Sequence, residues 1–228
     1  MILAVTAGKG GVGKSTVAYN LAAELGAVAV DADLGMPDLP AQRGPDLHDV
    51  LAGRADPIEA VREDGPVRLL PCGRSLAGVR AADPTALVDA IRDVARQYGR
   101  VVIDSPAGMR CDVGLPLFVA DACLLVTRPT RPAVADAIRT RELARALETP
   151  LARVVLNRVD PDRFEDARTE RLARVLGGPV TCLPDAAELA SAQRRGRPVR
   201  EVAPHSLAAM QFTALAREVK RVVTRPRR

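Results

Sequence analysis

A glycine-rich loop close to the start of the chain constrains the fold more than any other feature of the sequence. It follows an apolar run, matches the P-loop pattern GxxxxGK[ST], and consists of Gly8, Lys9, Gly10, Gly11, Val12, Gly13, Lys14, Ser15 and Thr16. Glycines permit a tight turn whose backbone N–H groups point at an anion, and a helix that begins near Lys14 adds the positive end of its dipole. This mechanism requires a strand before the loop and a helix after it, so the loop predicts an α/β protein.

The loop also predicts its own ligands. Lys14 should reach the β- and γ-phosphates of a nucleoside triphosphate, and the Ser15 hydroxyl should coordinate Mg²⁺. We therefore expect the chain to bind ATP with Mg²⁺.

The rest of the chain alternates short apolar runs with longer segments of helical periodicity. This pattern is typical of βαβ units and predicts a P-loop NTPase fold, a mostly parallel twisted sheet with helices on both faces. The predicted strands are Ile2–Thr6, Val28–Asp31, Val67–Leu70, Val101–Asp104, Ala122–Thr127, Arg153–Asn157 and Val180–Leu183. The predicted helices are Lys14–Leu25, Leu47–Ala52, Pro57–Glu63, Pro84–Tyr98, Pro132–Leu147, Phe164–Leu176, Ala186–Arg195 and Ser206–Val223. With no convincing linker, residues 1–228 should form a single domain that ends in a basic tail at 220–228.

Positive charge in this chain is carried almost entirely by arginine. The net charge is +5, yet lysine occurs only at Lys9, Lys14 and Lys220. An ammonium group is a compact point charge that fits a phosphate cradle, whereas a guanidinium is a wide, flat fork. Because two of the three lysines lie in the loop, we infer that the loop needs lysine at both positions.

Acidic residues close two of the predicted strands. Asp31 and Asp33 stand two positions apart at the end of the second strand, so both side chains should point towards the loop. Asp104 ends the apolar run Val101–Asp104 in the manner of a Walker B strand and should hold Mg²⁺ through water or through Ser15.

Three motifs resemble those of the MinD/ParA family of ATPases, and the MinD branch most closely. The sequence KGGVGKST resembles the deviant Walker A motif of the family, DADLG at 31–35 resembles switch I, and SPAG at 105–108 resembles switch II. The resemblance implies that Lys9 crosses the interface of an ATP-bound dimer and contacts the partner's nucleotide. It also implies that Asp33 orients the attacking water and shares in holding Mg²⁺, while Asp31 supports the site.

The same resemblance assigns three further residues. The backbone N–H of Gly108 should approach the γ-phosphate and sense hydrolysis. Asn157 should bond the adenine, and Pro184 should belong to a loop that closes over the base.

The function implied by the resemblance is positional and regulatory. The chain would dimerise on binding ATP and Mg²⁺ and hydrolyse ATP slowly with an activating protein partner, marking a division site or a cell pole. It would be cytoplasmic, with weak peripheral association at the inner face of the membrane as an option. The tail at 220–228 lacks aromatic residues and contains Pro226, so a solvated tail is favoured over contact with membrane or nucleic acid.

Three other functions remain open from the sequence, and one of them is an ATP-binding scaffold with negligible turnover. In a ParA-like DNA-partitioning ATPase, the arginine surplus would bind duplex DNA. In an ATPase resembling the nitrogenase iron protein, Cys111 would ligate a cluster, but Cys72 is unsuitably placed to be a second ligand. We expect the four cysteines, Cys72, Cys111, Cys123 and Cys182, to be thiols and not a disulfide or zinc framework.

Overall fold

One parallel β-sheet forms the centre of the computed structural model, which describes residues 1–35, 38–39, 43–73, 75–108, 111–160 and 166–223. Its strands are β1 Ile2–Thr6, β2 Val28–Asp31, β3 Leu69–Leu70, β4 Val101–Asp104, β5 Ala122–Thr127, β6 Leu151–Val159 and β7 Val180–Pro184. They lie in the order β3-β2-β4-β1-β5-β6-β7. Every neighbouring pair is parallel, so the carboxyl ends of all seven strands meet at one edge.

Helices cover both faces of this sheet. In the described ranges they are α1 Lys14–Leu25, α2 Leu47–Leu51, α3 Leu76–Ala81, α4 Leu87–Tyr98, α5 Cys111–Val119, α6 Arg131–Ala146, α7 Asp166–Leu176, α8 Ala187–Arg194, α9 Val199–Val202 and α10 Leu207–Val223. A short 3-10 turn at Pro84–Ala86 leads into α4. No helix in the described part of the chain is both long enough and apolar enough to span a membrane.

The apolar core lies in two layers, one on each side of the sheet. Strands β1, β2, β4 and β5 are buried at every residue, as expected of parallel strands with helices on both faces. One layer packs α1 and α10 against the sheet, with Phe212 of α10 fully buried in it. The other layer packs α4 against the opposite face through Leu87, Ile91 and Val94. The two layers hold the central strands rigidly below the P-loop.

Helix α1 starts directly at the phosphate loop. Gly13, with a φ of 96°, is the N-cap of α1, and Gly26, with a φ of 61°, ends it in the left-handed conformation. The helix is buried on almost all sides because it lies between the sheet and α10. The orientation of the P-loop is therefore fixed by core packing at its back.

Most predicted elements are found in the structure, and the differences have local causes. The predicted helix Pro57–Glu63 is wrong, because Arg62 forms reciprocal backbone hydrogen bonds with Leu69 in an antiparallel bridge. Residues 57–60 form turns, and β3 has only two residues where the sequence predicted the strand Val67–Leu70. The first residues of the predicted helix Phe164–Leu176 lie outside the described residues, and α7 begins at Asp166.

Candidate functional site

The P-loop lies at the carboxyl edge of the sheet, where it borders a cavity of about 660 Å³. Parallel pairing places Asp31 at the end of β2 directly beside Asp104 at the end of β4, next to the strand that leads into the loop. The cavity is lined by Lys9, Gly10, Gly11, Gly13, Lys14, Ser15, Thr16, Asp33, Gly35, Asp38, Pro106, Ala107, Arg158 and Gln193. The predicted phosphate loop and Asp33 therefore line one open site, and the strand-end acids Asp31 and Asp104 lie buried beside it.

Lys14 is buried and forms an ion pair with Asp104 at the base of this site. The Lys14 Nζ lies 2.5 Å from Asp104 Oδ1, and both side chains are almost inaccessible to solvent. Burial raises the pKa of Asp104 above its ordinary value, while Lys14 and the nearby Ser15 hydroxyl act in the opposite direction. The second oxygen, Oδ2, is buried and accepts no hydrogen bond of normal geometry. The Oδ2 of Asp104 is therefore available to accept a hydrogen bond or to bind a cation.

Asp31 is a buried acid that ties down the segment after β2. Its Oδ1 accepts a hydrogen bond from the Asp33 backbone N–H at 3.3 Å, and its Oδ2 accepts one from the Leu39 N–H at 3.1 Å. Burial, together with the charge of Asp104, raises the pKa of Asp31 to about 7. Asp31 therefore supports the loop that carries Asp33, which itself is half-buried at the cavity.

The donors around the cavity suit Mg²⁺. The cation prefers hard oxygen ligands and keeps several of its waters. The Ser15 hydroxyl and the Asp33 carboxyl are oxygen donors of this kind at the cavity, which has room for water. The buried, unpaired Oδ2 of Asp104 is a third such donor near Ser15. The residues present therefore fit a magnesium ion held partly through water.

Asp38 is a further site residue, and no sequence motif identifies it. The Ser15 hydroxyl donates a hydrogen bond to Asp38 Oδ2 at 3.2 Å, and Asp38 lines the same cavity as the P-loop. The only sequence signal for it is an acid five positions after Asp33 in a Pro- and Gly-rich segment. Nothing in that pattern identifies Ser15 as its partner.

Two glycines of the loop are required by close packing. A Cβ at Gly8 would lie 2.2 Å from the backbone oxygen of Asp136 in α6. A Cβ at Gly13 would lie 2.1 Å from Asn157 Nδ2, and the positive φ at Gly13 disfavours any other residue there. Side chains at these positions would push α6 or β6 away from the loop.

Two further predicted site residues, Gly108 and Lys9, differ in whether their polar groups have a partner. The backbone N–H of Gly108, whose φ is 97°, donates to the Ala7 carbonyl at 3.3 Å. Lys9 is exposed at the mouth of the cavity and has no hydrogen bond or ion pair with any described residue. The two loop lysines therefore differ sharply, since Lys14 is buried and paired.

Asn157 and Pro184 lie together at a smaller cavity of about 90 Å³ beside the P-loop. Asn157 donates from Nδ2 to the Val12 carbonyl at 2.8 Å, which joins β6 to the loop. The next residue, Arg158, has a positive φ of 57° and lines both this cavity and the larger one. Such a conformation is unusual for a residue other than glycine and tends to mark functional sites. The predicted base contacts thus lie next to the phosphate loop.

Gln193 of α8 is a second site residue that the sequence did not indicate. Its Oε1 accepts a hydrogen bond from the Thr16 hydroxyl at 3.3 Å, and its side chain lines both cavities. A glutamine within a helix has no motif that would connect it to a P-loop 177 residues earlier.

The cysteines give no support to a metal–sulfur site among the described residues. Cys72 and Cys123 are buried free thiols, Cys182 is not part of a disulfide, and the side chain of Cys111 lies outside the described part. Cys72 is buried, its Sγ lies 3.5 Å from the Asp33 carbonyl, and burial raises its pKa. Within the described ranges, no group of three or more His, Cys, Asp or Glu side chains is arranged to hold a metal ion by itself.

Comparison with known proteins gives matches along nearly the whole chain. The sequence profile of the CobQ/CobB/MinD/ParA nucleotide binding domain matches residues 3–199. An uncharacterized ATP-binding protein of Methanocaldococcus jannaschii is 35% identical over 227 residues, which cover 95% of this chain and 86% of that protein. The cell division ATPase MinD of Pyrococcus furiosus has a similar structure, with a TM-score of 0.88 and 28% identity over 97% of this chain and 98% of that one.

A second solved structure was determined with a nucleotide. The septum site-determining protein MinD of Pyrococcus horikoshii, in complex with Mg-ADP, gives a TM-score of 0.88 at 28% identity over 98% of this chain and 97% of that one. The segment matched by the profile contains every candidate site residue from Gly8 to Pro184.

Proposed function

The chain belongs to the CobQ/CobB/MinD/ParA nucleotide-binding family, and from this premise we propose that it is a MinD-like ATPase whose active form is an ATP-bound dimer. It binds ATP with Mg²⁺ through the P-loop and hydrolyses it slowly as a spatial or regulatory switch. An activating protein partner sets the time of hydrolysis. Residues 1–228 act as a single ATPase domain in the cytoplasm, and the tail at 220–228 contributes at most a weak attraction to the membrane surface.

The contrast between the two loop lysines carries this proposal. Lys14 lies inside the protein, where it can serve only its own nucleotide. Lys9 lies at the open mouth of the same cavity with its charge unpaired among the described residues. A free ammonium at the rim of a phosphate site is suited to reach a nucleotide held by a second molecule, as an arginine finger does.

Binding of the triphosphate would change the partner of Lys14. In the structure Lys14 neutralises Asp104, and the phosphates would offer its Nζ a stronger anionic partner. Asp104, released from Lys14, would then face the site with both carboxylate oxygens. Mg²⁺, when bound, supplies positive charge that offsets the charge developing on the phosphates. Lys14 and Asp104 would thus exchange one buried pairing for two pairings with the ligand.

Hydrolysis would depend on residues that follow the strand ends. Asp33, held by Asp31 through its backbone, would orient the attacking water. The Gly108 N–H would leave the Ala7 carbonyl and bond the γ-phosphate, so the loss of that phosphate would return Gly108 to its present partner. At the small cavity, Asn157 and Pro184 would receive the adenine. By these steps, hydrolysis of ATP would lead to a conformational change of the protein.

Mixing two inactive variants tests whether Lys9 acts in trans. Lys9→Ala lacks the crossing lysine but keeps Asp33, whereas Asp33→Ala lacks the water-orienting acid but keeps Lys9. In a mixed dimer, the site with an intact Asp33 receives Lys9 from the other protomer, so one of the two sites is complete. Random mixing makes half of the dimers mixed, and we expect the steady-state hydrolysis rate to recover to about a quarter of the wild-type rate.

The controls are each variant at doubled concentration without the other, which should stay inactive. If the mixture also stays inactive while both variants bind ATP, Lys9 serves its own nucleotide and the dimeric mechanism is wrong. If neither the wild type nor the variants bind ATP, the assignment of the whole site is wrong.

A further inference from the structure

The Ser15 hydroxyl has a carboxylate partner that lies outside the P-loop motif. Ser15 is buried at the start of α1, and its Oγ donates to Asp38 Oδ2 at 3.2 Å. Asp38 is exposed, and it lies where the 660 Å³ cavity meets an adjacent cavity of about 340 Å³. Its carboxyl group is therefore at the entrance to the cation site and not inside the core.

The neighbouring residue holds Asp38 in this place. Leu39 is buried in the core layer that contains α1, and its N–H donates to Asp31 Oδ2 at 3.1 Å. The backbone next to Asp38 is therefore anchored both by apolar packing and by a buried hydrogen bond. This anchoring sets the carboxyl of Asp38 beside Ser15.

The hydrogen bond from Ser15 to Asp38 leaves the Ser15 oxygen able to bind a cation. A serine hydroxyl has one proton to donate and two lone pairs that can bind a cation. While Ser15 donates its proton to Asp38, both lone pairs stay available. The other nearby acid, Asp104, accepts from Lys14 at Oδ1, and its Oδ2 is left without a hydrogen bond. The acceptor that the Ser15 hydroxyl has in the structure is Asp38, so Asp38 fixes the direction of the hydroxyl.

We propose that Asp38 is a positioning residue for the magnesium site, which orients the Ser15 hydroxyl and adds negative charge beside the cation. This inference rests on the proposed function, since it requires that the chain binds nucleotide with Mg²⁺. No cation pairs with Asp38 in the described part of the chain, so its charge is not neutralised by the protein. Such a charge attracts Mg²⁺ but repels the phosphates of a nucleotide that arrives without it.

Because Asp38 should attract Mg²⁺ but repel the phosphates of a nucleotide without Mg²⁺, measurements of nucleotide binding alone can test the proposal. The dissociation constant of a fluorescent ADP analogue is measured with Mg²⁺ and with EDTA, for the full chain and its variants. Asp38→Ala should weaken binding with Mg²⁺ about tenfold, the scale expected when a residue that orients a metal ligand is removed. In EDTA the same variant should bind as tightly as the wild type or more tightly. A disturbed loop with a purely structural cause would weaken binding under both conditions.

Two further variants complete the experiment. Asp38→Asn keeps an oxygen that accepts the Ser15 proton, so it should retain more of the Mg²⁺ effect than Asp38→Ala. Asp64→Ala is the matched control, because it removes one exposed aspartate from the segment before β3, which does not line the 660 Å³ cavity. It should bind like the wild type under both conditions.

The inference is overturned if Asp38→Ala binds as the wild type does with Mg²⁺, or loses affinity equally with and without it. An Asp38→Asn variant as weak as Asp38→Ala would contradict the orienting role. If the wild type itself fails to bind ADP, or binds it equally with and without Mg²⁺, the proposed function fails instead. The two failures are therefore distinguishable.

Discussion

Replacement of Lys14 by methionine should destabilise the protein in a way that depends on pH. Methionine is apolar and of similar length, so the change removes the charge with little loss of volume. It leaves Asp104 buried, with neither of its oxygens paired to a cation. Breaking one side of a buried ion pair costs about 3–5 kcal/mol.

Protonation of Asp104 sets an upper bound on this cost. A carboxyl with an ordinary pKa of 3.8 takes up a proton at about 1.4 kcal/mol for each pH unit above that value, which gives about 6 kcal/mol at pH 8 and about 2 kcal/mol at pH 5. Loss of Lys14 raises the pKa of Asp104 further in the folded state, so the folded state binds more protons than the unfolded state. The free energy of unfolding of the variant must therefore fall as the pH rises.

The assay is urea unfolding of the nucleotide-free protein at pH 5 and pH 8. We expect Lys14→Met to lose about 3–5 kcal/mol at pH 8 and less than about 2 kcal/mol at pH 5, relative to the wild type. The double variant Lys14→Met with Asp104→Asn should recover most of the loss at pH 8. As a control, Arg92→Met breaks an exposed pair with Asp89 and should cost less than about 1 kcal/mol at either pH. Equal losses at the two pH values would refute the reasoning.

Two further perturbations follow from the same site. Asp31→Asn removes an acid whose pKa is raised to about 7, so the variant lacks the proton that the folded wild type loses near neutral pH. Urea titration between pH 5 and pH 7 should show the unfolding free energy of the wild type falling by up to about 3 kcal/mol relative to the variant. Parallel curves of unfolding free energy against pH would count against this. Gly8→Ala places a Cβ 2.2 Å from the Asp136 carbonyl and should lower the unfolding free energy by about 1–3 kcal/mol. The control Gly10→Ala meets nothing within 4 Å and should change it little. Equal urea midpoints for the two variants would show that α6 moves away from the new Cβ without loss of stability.

The central strands could be predicted from the sequence residue by residue. β1, β2, β4 and β5 are apolar runs that end at the P-loop, at acids or at a threonine, and their burial on both faces leaves little ambiguity in their bounds. The short helices could not be predicted in the same way. Helix α5 contains Pro116, which ordinarily argues against a helix, and α3 depends on the Ser75 side chain that caps it through the Gly78 N–H.

The members of the site could be predicted from the sequence, but their pairings could not. The sequence predicted which residues would gather at the sheet edge, because a P-loop and the acids that end parallel strands have fixed positions relative to the sheet. It could not predict their partners, since Ser15 and Asp38, Lys14 and Asp104, and Asn157 and Val12 are separated by 23, 90 and 145 residues. Those pairings arise from tertiary packing.

An ATP-dependent dimer is the central feature of the proposed mechanism. Size-exclusion chromatography with light scattering on Asp33→Ala, a variant that should bind ATP without hydrolysing it, measures this dimer when ATP and ADP are compared. We expect a monomer of 24.2 kDa with ADP and a dimer of twice that mass with ATP and Mg²⁺, which Lys9→Ala weakens. A variant that binds ATP and yet stays monomeric at high protein concentration would contradict the central claim.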